Sequence, residues 1–537
     1  MRPRAHISAL PDDVLLLIIS YVEVRDILAL RKVSLLYNMS KLRWVWYDAM
    51  KRHVVQKGLP IPAASIADLK ALDAEHLEAR AVHAARFHDN WNSAHPVSKK
   101  AIEFSAVTYL DDALPDESYS RSSVTHLSFL PGRNGKYLVT VVGRVLTCWE
   151  VPLGETEAYA VAEWVACRKI EQVIVNDDPQ AEVVLAYVAA HPQAQGVVEC
   201  RALSFDKFHG KFSCRMELRA HRQVSTPLHV LHNDYLIFGD PMHVCFLAAP
   251  SMVKPLGKSA LAEVPENAIL AVKPVNKYLL VVRQRTFEVL PAPSWRGVRA
   301  PYSALVTASA SIELDIPASS SVIVVREVFS PPTEEPPDWP DEPVTVLSRY
   351  SDDGFETMHQ YDLLPNLKAR ELAEKKDGDN EKDKDKDKDK EKDGQHGPLL
   401  DRLPCIFPSQ YTRVMSVAPS CCDLRVGPSG KGFWTETRNI VIRHAKNPAR
   451  CLVGFEVKAV EDPDDALDRS KAGPRAGAAT KAQAQVKMCQ DVLYARRCNI
   501  HEILWKKYMI SSTALEDTVG RIAVGDVTGK VEVLDLA

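Results

Sequence analysis

The chain of 537 residues is short of several things, and each shortage narrows what it does. It has no long hydrophobic run: its longest apolar stretches, such as 14–19 and 183–190, fall far below the roughly 20 residues of a bilayer-spanning helix, so no membrane partner is expected. Charge of one sign is not in excess, since 67 Lys and Arg against 70 Asp and Glu leave a net charge of -3. No global field therefore recommends nucleic acid or an anionic surface. The 11 cysteines are odd in number and scattered, with no Cys-x-x-Cys and no Cys/His pair at zinc spacing. Free thiols in a reducing compartment follow, which points to the cytoplasm and/or nucleus. Arg2 and Arg4 imitate the start of a secretory signal, but Asp12 and Asp13 interrupt it and no small-residue cleavage pattern follows.

Catalytic motifs are also missing. There is no His-Glu-x-x-His and no Gly-x-Ser-x-Gly. Gly427-Pro428-Ser429-Gly430-Lys431-Gly432 has the residues of a phosphate loop without its spacing, and no helix pattern follows it. The acid pairs Asp111-Asp112, Asp177-Asp178 and Asp352-Asp353 sit in turn-like contexts where Asp is favoured for backbone reasons. No cofactor, no metal and no catalytic residue are expected.

The residues that are present begin their argument at Leu10-Pro11-Asp12-Asp13 and the apolar run 14–22. Pro11 suits a helix start, where its missing N–H is no loss, and the two aspartates face the positive end of the helix dipole. The apolar residues cover more of the circumference than one buried face requires, so this helix needs partners on two sides. Asp26 is expected to cap a second helix carrying Ile27, Leu30 and Val33, and a third helical segment runs from Leu35 through Trp44, Trp46 and Met50. Strong helix formers between residues 66 and 87 predict further helices joining this head to the larger C-terminal part.

From about residue 100 the texture changes to short β-branched runs separated by turns. Residues 124–129, 137–142 and 145–151 form a three-strand unit, with copies at 229–247, 271–290 and 521–536. The length fits about seven propeller blades. Because the last unit ends at Leu536-Ala537 one strand short, the segment 102–110 is expected to pair with it and close the ring. Three polar stretches interrupt the repeats: a proline-rich loop at 331–337, a charged insertion near 370–397 containing alternating Lys and Asp, and a low-complexity loop near 461–487. The charged insertion has nothing apolar to bury and is expected to be disordered. Arg144, Arg283, Arg285 and Arg438 near strand ends are candidates for a cluster that would read a charged substrate.

Residues 7–53 resemble the F-box family, on Leu10-Pro11, the helix through Ile18 and Tyr21, Asp26-Ile27-Leu28-Ala29-Leu30-Arg31-Lys32-Val33-Ser34, and Trp46. The departure is Leu36-Tyr37, where that family more often has a basic residue and tryptophan. The repeats resemble WD-repeat blades, although Trp149-Glu150 and Leu534-Asp535 are the nearest forms of the Trp-Asp dipeptide. Together they resemble a fungal-type F-box protein with a C-terminal WD-repeat-like β-propeller. The resemblance implies a multidomain protein: an all-α F-box over residues 1–55, a helical linker over 56–100, and an all-β propeller over 101–537. It further implies docking on a Skp adaptor, and through it a cullin-RING ubiquitin ligase, by Leu10, Pro11, Val14, Leu15, Ile18, Tyr21, Ile27 and Leu30. The propeller would bind an unknown protein substrate. The alternatives left open are a propeller scaffold acting outside ubiquitin transfer and a propeller hydrolase.

Overall fold

The structure is a computed structural model and describes residues 10–32, 34–62, 66–93, 96–98, 100–107, 123–190, 197–221, 227–256, 267–293, 310–314, 317–326, 337–352, 355–369, 403–408, 411–417, 421–442, 445–457, 492–497 and 510–537. The charged insertion near 370–397, the loop near 461–487 and residues 331–336 lie outside the described residues.

The head is built from helices α1 (Asp12–Tyr21), α2 (Val24–Leu30), α3 (Ser34–Met39) and α4 (Arg43–Ala49), the last continued by a π-helical turn, Met50–Val55. Glu23, not Asp26, is the N-cap of α2; Asp26 lies in the first turn, where its charge still meets the dipole. The third helical segment is split at residues 40–42, because the carbonyl of Ser40 is taken by Trp46 Nε1 at 2.7 Å and by Arg31 Nη2 at 3.1 Å rather than by a continuing helix. Leu15, Ile19, Ile27, Leu36, Val45 and Trp46 fill the core, and α5 (Ile66–Ala71) and α6 (Ala74–Trp91) complete it with Leu69, Leu77, Ala81 and Ala84.

The body is seven antiparallel sheets. Blade one is Val124–Phe129, Tyr137–Val142, Val145–Glu150 and Tyr159–Val165; blade two is Ile170–Val175, Val183–Ala190, Val197–Asp206 and Lys211–His221. Blade three is Leu228–His232, Tyr235–Phe238, His243–Phe246 and Ala249–Pro255; blade four is Ile269–Val275, Tyr278–Arg283, Thr286–Pro291 and Ala310–Glu313. Blade five has Ser320–Val324, Val344–Asp352, Phe355–Pro365 and two short partners of that third strand, Cys405–Ile406 and Arg413–Val417. Blade six is Cys422–Val426, Lys431–Ile442, Ala445–Glu456 and Val492–Arg497. Blade seven is Ile510–Glu516, Arg521–Asp526 and Lys530–Asp535.

Its fourth strand is Lys100–Ser105, antiparallel to the last strand with Ile102 opposite Val533 and Phe104 opposite Val531. The closure expected from the sequence is therefore present; residues 108–110 of the expected segment lie outside the described residues. First strands of adjacent blades touch in an unbroken cycle, and apolar clusters fill the gaps between blades. Packing on both faces explains why a middle strand such as Tyr137–Val142 reads as a continuous apolar run, while the outer strand Tyr159–Val165 is largely exposed.

Arg521, fully buried, locks that closure. Its Nη1 donates to the carbonyl of Gly135 at 3.0 Å and to that of Val151, its Nη2 to that of Pro152 at 3.0 Å, all in blade one, while Nε meets Asp535 Oδ1 at 3.0 Å. One guanidinium thus spans the seam between the last blade and the first.

Candidate functional site: an outward apolar ridge on a fixed head

Helix α1 divides its apolar residues between two environments. Leu15 and Ile19 are each 2% exposed and point into the head. Leu10, Val14, Leu17, Ile18 and Tyr21 face outward, with Leu17 57% and Tyr21 70% exposed. The spacing 14, 17/18, 21 places the last four in one row along the helix, with Leu10 and the exposed Pro11 just before its first turn. Leu15 N–H donates to the carbonyl of Pro11 at 3.1 Å, so the proline opens the first turn without losing a bond.

Of the eight docking residues expected from the sequence, Leu10, Pro11, Val14, Ile18 and Tyr21 are exposed. Leu15 and Ile27 are buried at 2% and 1%, and Leu30 is half-buried against the core. Those three positions hold the ridge up from beneath. Leu17 is the ridge residue absent from that set, although it lies three residues from Val14 and four from Tyr21 on the same stripe. Tyr37, Leu42 and Trp44 form a second exposed apolar group at α3 and the start of α4. Cations brace the aromatics: Arg52 lies 5.0 Å over Tyr21 and Lys41 4.2 Å over Tyr37.

The ridge is held in a fixed frame. Arg31, the C-cap of α2, makes a forked pair with Glu78 on α6, at 2.6 and 2.8 Å, and its Nε donates to Ser40 Oγ at 3.0 Å. The Glu78 carboxylate holds the Arg31 guanidinium above its ordinary value. Helix α6 then continues from one core into the other: Leu77, Ala81 and Ala84 belong to the head, Phe87 and Trp91 to the cluster between blades six and seven. His83 Nε2 donates to the carbonyl of Val519 at 3.0 Å, Asn90 Nδ2 to that of Leu536 at 2.7 Å, and Trp91 Nε1 to that of Phe455 at 3.3 Å. Phe87 lies on Gly520, whose φ of +70° and lack of a side chain are both required, since a Cβ there would come within 2.6 Å of the ring.

The sequence candidates on the body fare differently. Arg283 is 3% exposed and committed to Glu288 and Asp240 inside the ring, so it is not available to a substrate; the side chain of Arg438 lies outside the described residues. The phosphate-loop look-alike is a β-turn: Gly427 lies against the Asp517 carboxylate, which accepts from Ser429 N–H at 2.7 Å. Asp177 is paired with His232 and with Lys273 at 3.0 Å, across three first strands.

The F-box domain model matches residues 7–35. Among solved structures the protein is similar to the AfRom2 CNH domain, at 8% identity and a TM-score of 0.34, covering 66% of this sequence and 86% of that one. No curated protein matches it. An F-box domain at residues 7–35, followed by a seven-bladed β-propeller, is thus the make-up of this protein.

Proposed function

We propose that this protein is the substrate-receptor subunit of a Skp-cullin-F-box ubiquitin ligase, working in the cytoplasm and/or nucleus. The observation that carries the reading is the exposed row Val14, Leu17, Ile18 and Tyr21, with Leu10 just before it, on a helix whose other face is core. Such a row costs solubility unless a partner covers it, and F-box domains typically bind Skp-type adaptors. The shared helix α6 supports the second half of the reading, because it presents the propeller at a set position relative to the docked adaptor. The protein's own contribution is then proximity: it raises the effective concentration of a substrate lysine at the charged conjugating enzyme, and performs no bond-making itself.

The test is co-purification of the protein with a Skp-type adaptor and a cullin, wild type against Leu17→Asp with Ile18→Asp. Burying two carboxylates in an apolar contact is expected to weaken adaptor capture about 30-fold or more, with an unchanged unfolding midpoint. Undiminished capture by the double variant would sink the docking reading; adaptor recovered without cullin would reduce the protein to a scaffold.

A further inference from the structure

Beside the ring axis lies a polar cavity of about 450 Å³, lined by first strands of blades one, two, six and seven, by Val139 and Thr435 of second strands, and by Arg450 of the third strand of blade six. This lies within the roughly 300–1,000 Å³ range of ligand sites. The first strands begin at this end, at Val124, Ile170, Cys422 and Ile510, whereas α6 packs where they finish, on Val519 and Gly520. The cavity, lined by Thr125, Cys422 and Ile510 at or next to strand starts, therefore lies toward the face away from the head. A neighbouring cavity of about 270 Å³ shares Cys422, Asp423 and Arg425 with it.

Charge decides what such a space accepts. Among the described residues two guanidinium groups line it, Arg425 and Arg450, against one carboxylate, Asp423. Asp423 is held by Thr513 Oγ1 at 2.6 Å and pairs with Arg425 at 2.9 Å, leaving the Arg425 side chain 44% exposed. Arg450 has no carboxylate partner among the described residues. Its Nη2 touches Cys422 Sγ and, at 3.3 Å, Thr435 Oγ1, and its buried Nε has no hydrogen-bond partner. His126 adds no charge at neutral pH, since burial and the nearby Arg425 push it down to about 4. The described lining is left with one positive charge. A phosphate group carries about -1.5 to -2 at neutral pH and would be under-matched, whereas a carboxylate is matched.

We infer that this cavity takes a single carboxylate of a protein substrate, between Arg425 and Arg450, on the face opposite the F-box head. The inference rests on reading the propeller as the substrate-binding body. A side-chain carboxylate and the carboxylate that ends a polypeptide share this chemistry. The test uses the full-length protein and fluorescence anisotropy of labelled peptide pools with randomised neutral flanks. Their centres are Glu, Gln or phosphoserine with an amidated end, and a fourth pool has central Gln and a free C-terminus.

The Glu pool or the free-end pool is expected to bind about tenfold tighter than amidated Gln, as a charge-assisted pair requires, and the stronger of the two names the source. Arg425→Gln and Arg450→Gln should each erase that preference, and Arg425→Lys should keep most of it. Asp423→Asn removes the competing carboxylate while tolerating the left-handed backbone, φ +50°, so it should tighten binding. Equal binding of all pools, tighter binding of phosphoserine than Glu, or weaker binding by Asp423→Asn would overturn the inference, and the last two stand even if a Gln variant fails to fold. Adaptor capture scored on the same preparations separates this failure from that of the docking reading.

Discussion

The head and the propeller use apolar surface in opposite ways. Helix α1 keeps a row of apolar residues outside a finished core, while the propeller buries both faces of its middle strands between blades and seals its open edge with Lys100–Ser105. A surplus on a helix shows as a second stripe in the sequence, and so announces an exposed apolar face. A sealed ring leaves no such surplus, and its surface is assembled from the ends of strands far apart in sequence. The difference teaches why the handle is easier to find than the grip.

The largest way to break the contrast is to unseal the ring. Arg521→Ala leaves Asp535 and three carbonyls without their partner at a buried seam, and should cost about 3–5 kcal/mol. Urea denaturation followed by tryptophan fluorescence would show it; a loss under about 1 kcal/mol would mean the seam is held by strand pairing alone.

A smaller effect tests whether head and body are one unit. Gly520→Ala forces a methyl group onto Phe87 and strains a positive φ, for about 1–3 kcal/mol. Protease cutting between α6 and the first blade should accelerate while adaptor capture by the head persists. Unaltered cutting would mean that α6 reaches the propeller without bearing on it.

The smallest effect per step of the experiment is set by pH and belongs to the body. Burial pushes His126 and His359 down to about 4, the latter between the rings of Tyr350 and Tyr411. The unfolded protein takes up these protons near the ordinary value of 6.5, so protons favour unfolding. Stability is full above that value and declines as pH falls toward 4, by less than about 1.4 kcal/mol per pH unit for each ring. His126→Gln and His359→Gln should each flatten the pH dependence of the urea midpoint; an unchanged slope would place these rings in water.

Much of this is legible in the sequence for stated reasons. Leu10-Pro11 and the aspartates after it mark a helix start by local chemistry alone. The missing outer strand follows from counting strands, because an open edge must be paired. Within α1, however, Leu15 and Leu17 are the same residue two positions apart, and only the packing of α4 against α1 sends one inward and leaves the other out. The sequence singles out Arg283 among arginines near strand ends and passes over Arg425, yet the first is 3% exposed on Glu288 and the second lines the cavity.

The sequence by itself determined the elements: a short helical head with surplus apolar surface, a repeated three-strand unit, and a terminal unit needing a partner strand. These depend on neighbours within a few residues or on a count. Tertiary structure decided what faces what: which leucines stay exposed, that α6 belongs to two cores at once, and that Asp423, Arg425, Arg450 and His126 line one cavity. Those juxtapositions join residues up to hundreds of positions apart, and their energies come from burial and charge pairing that exist only once the ring has closed.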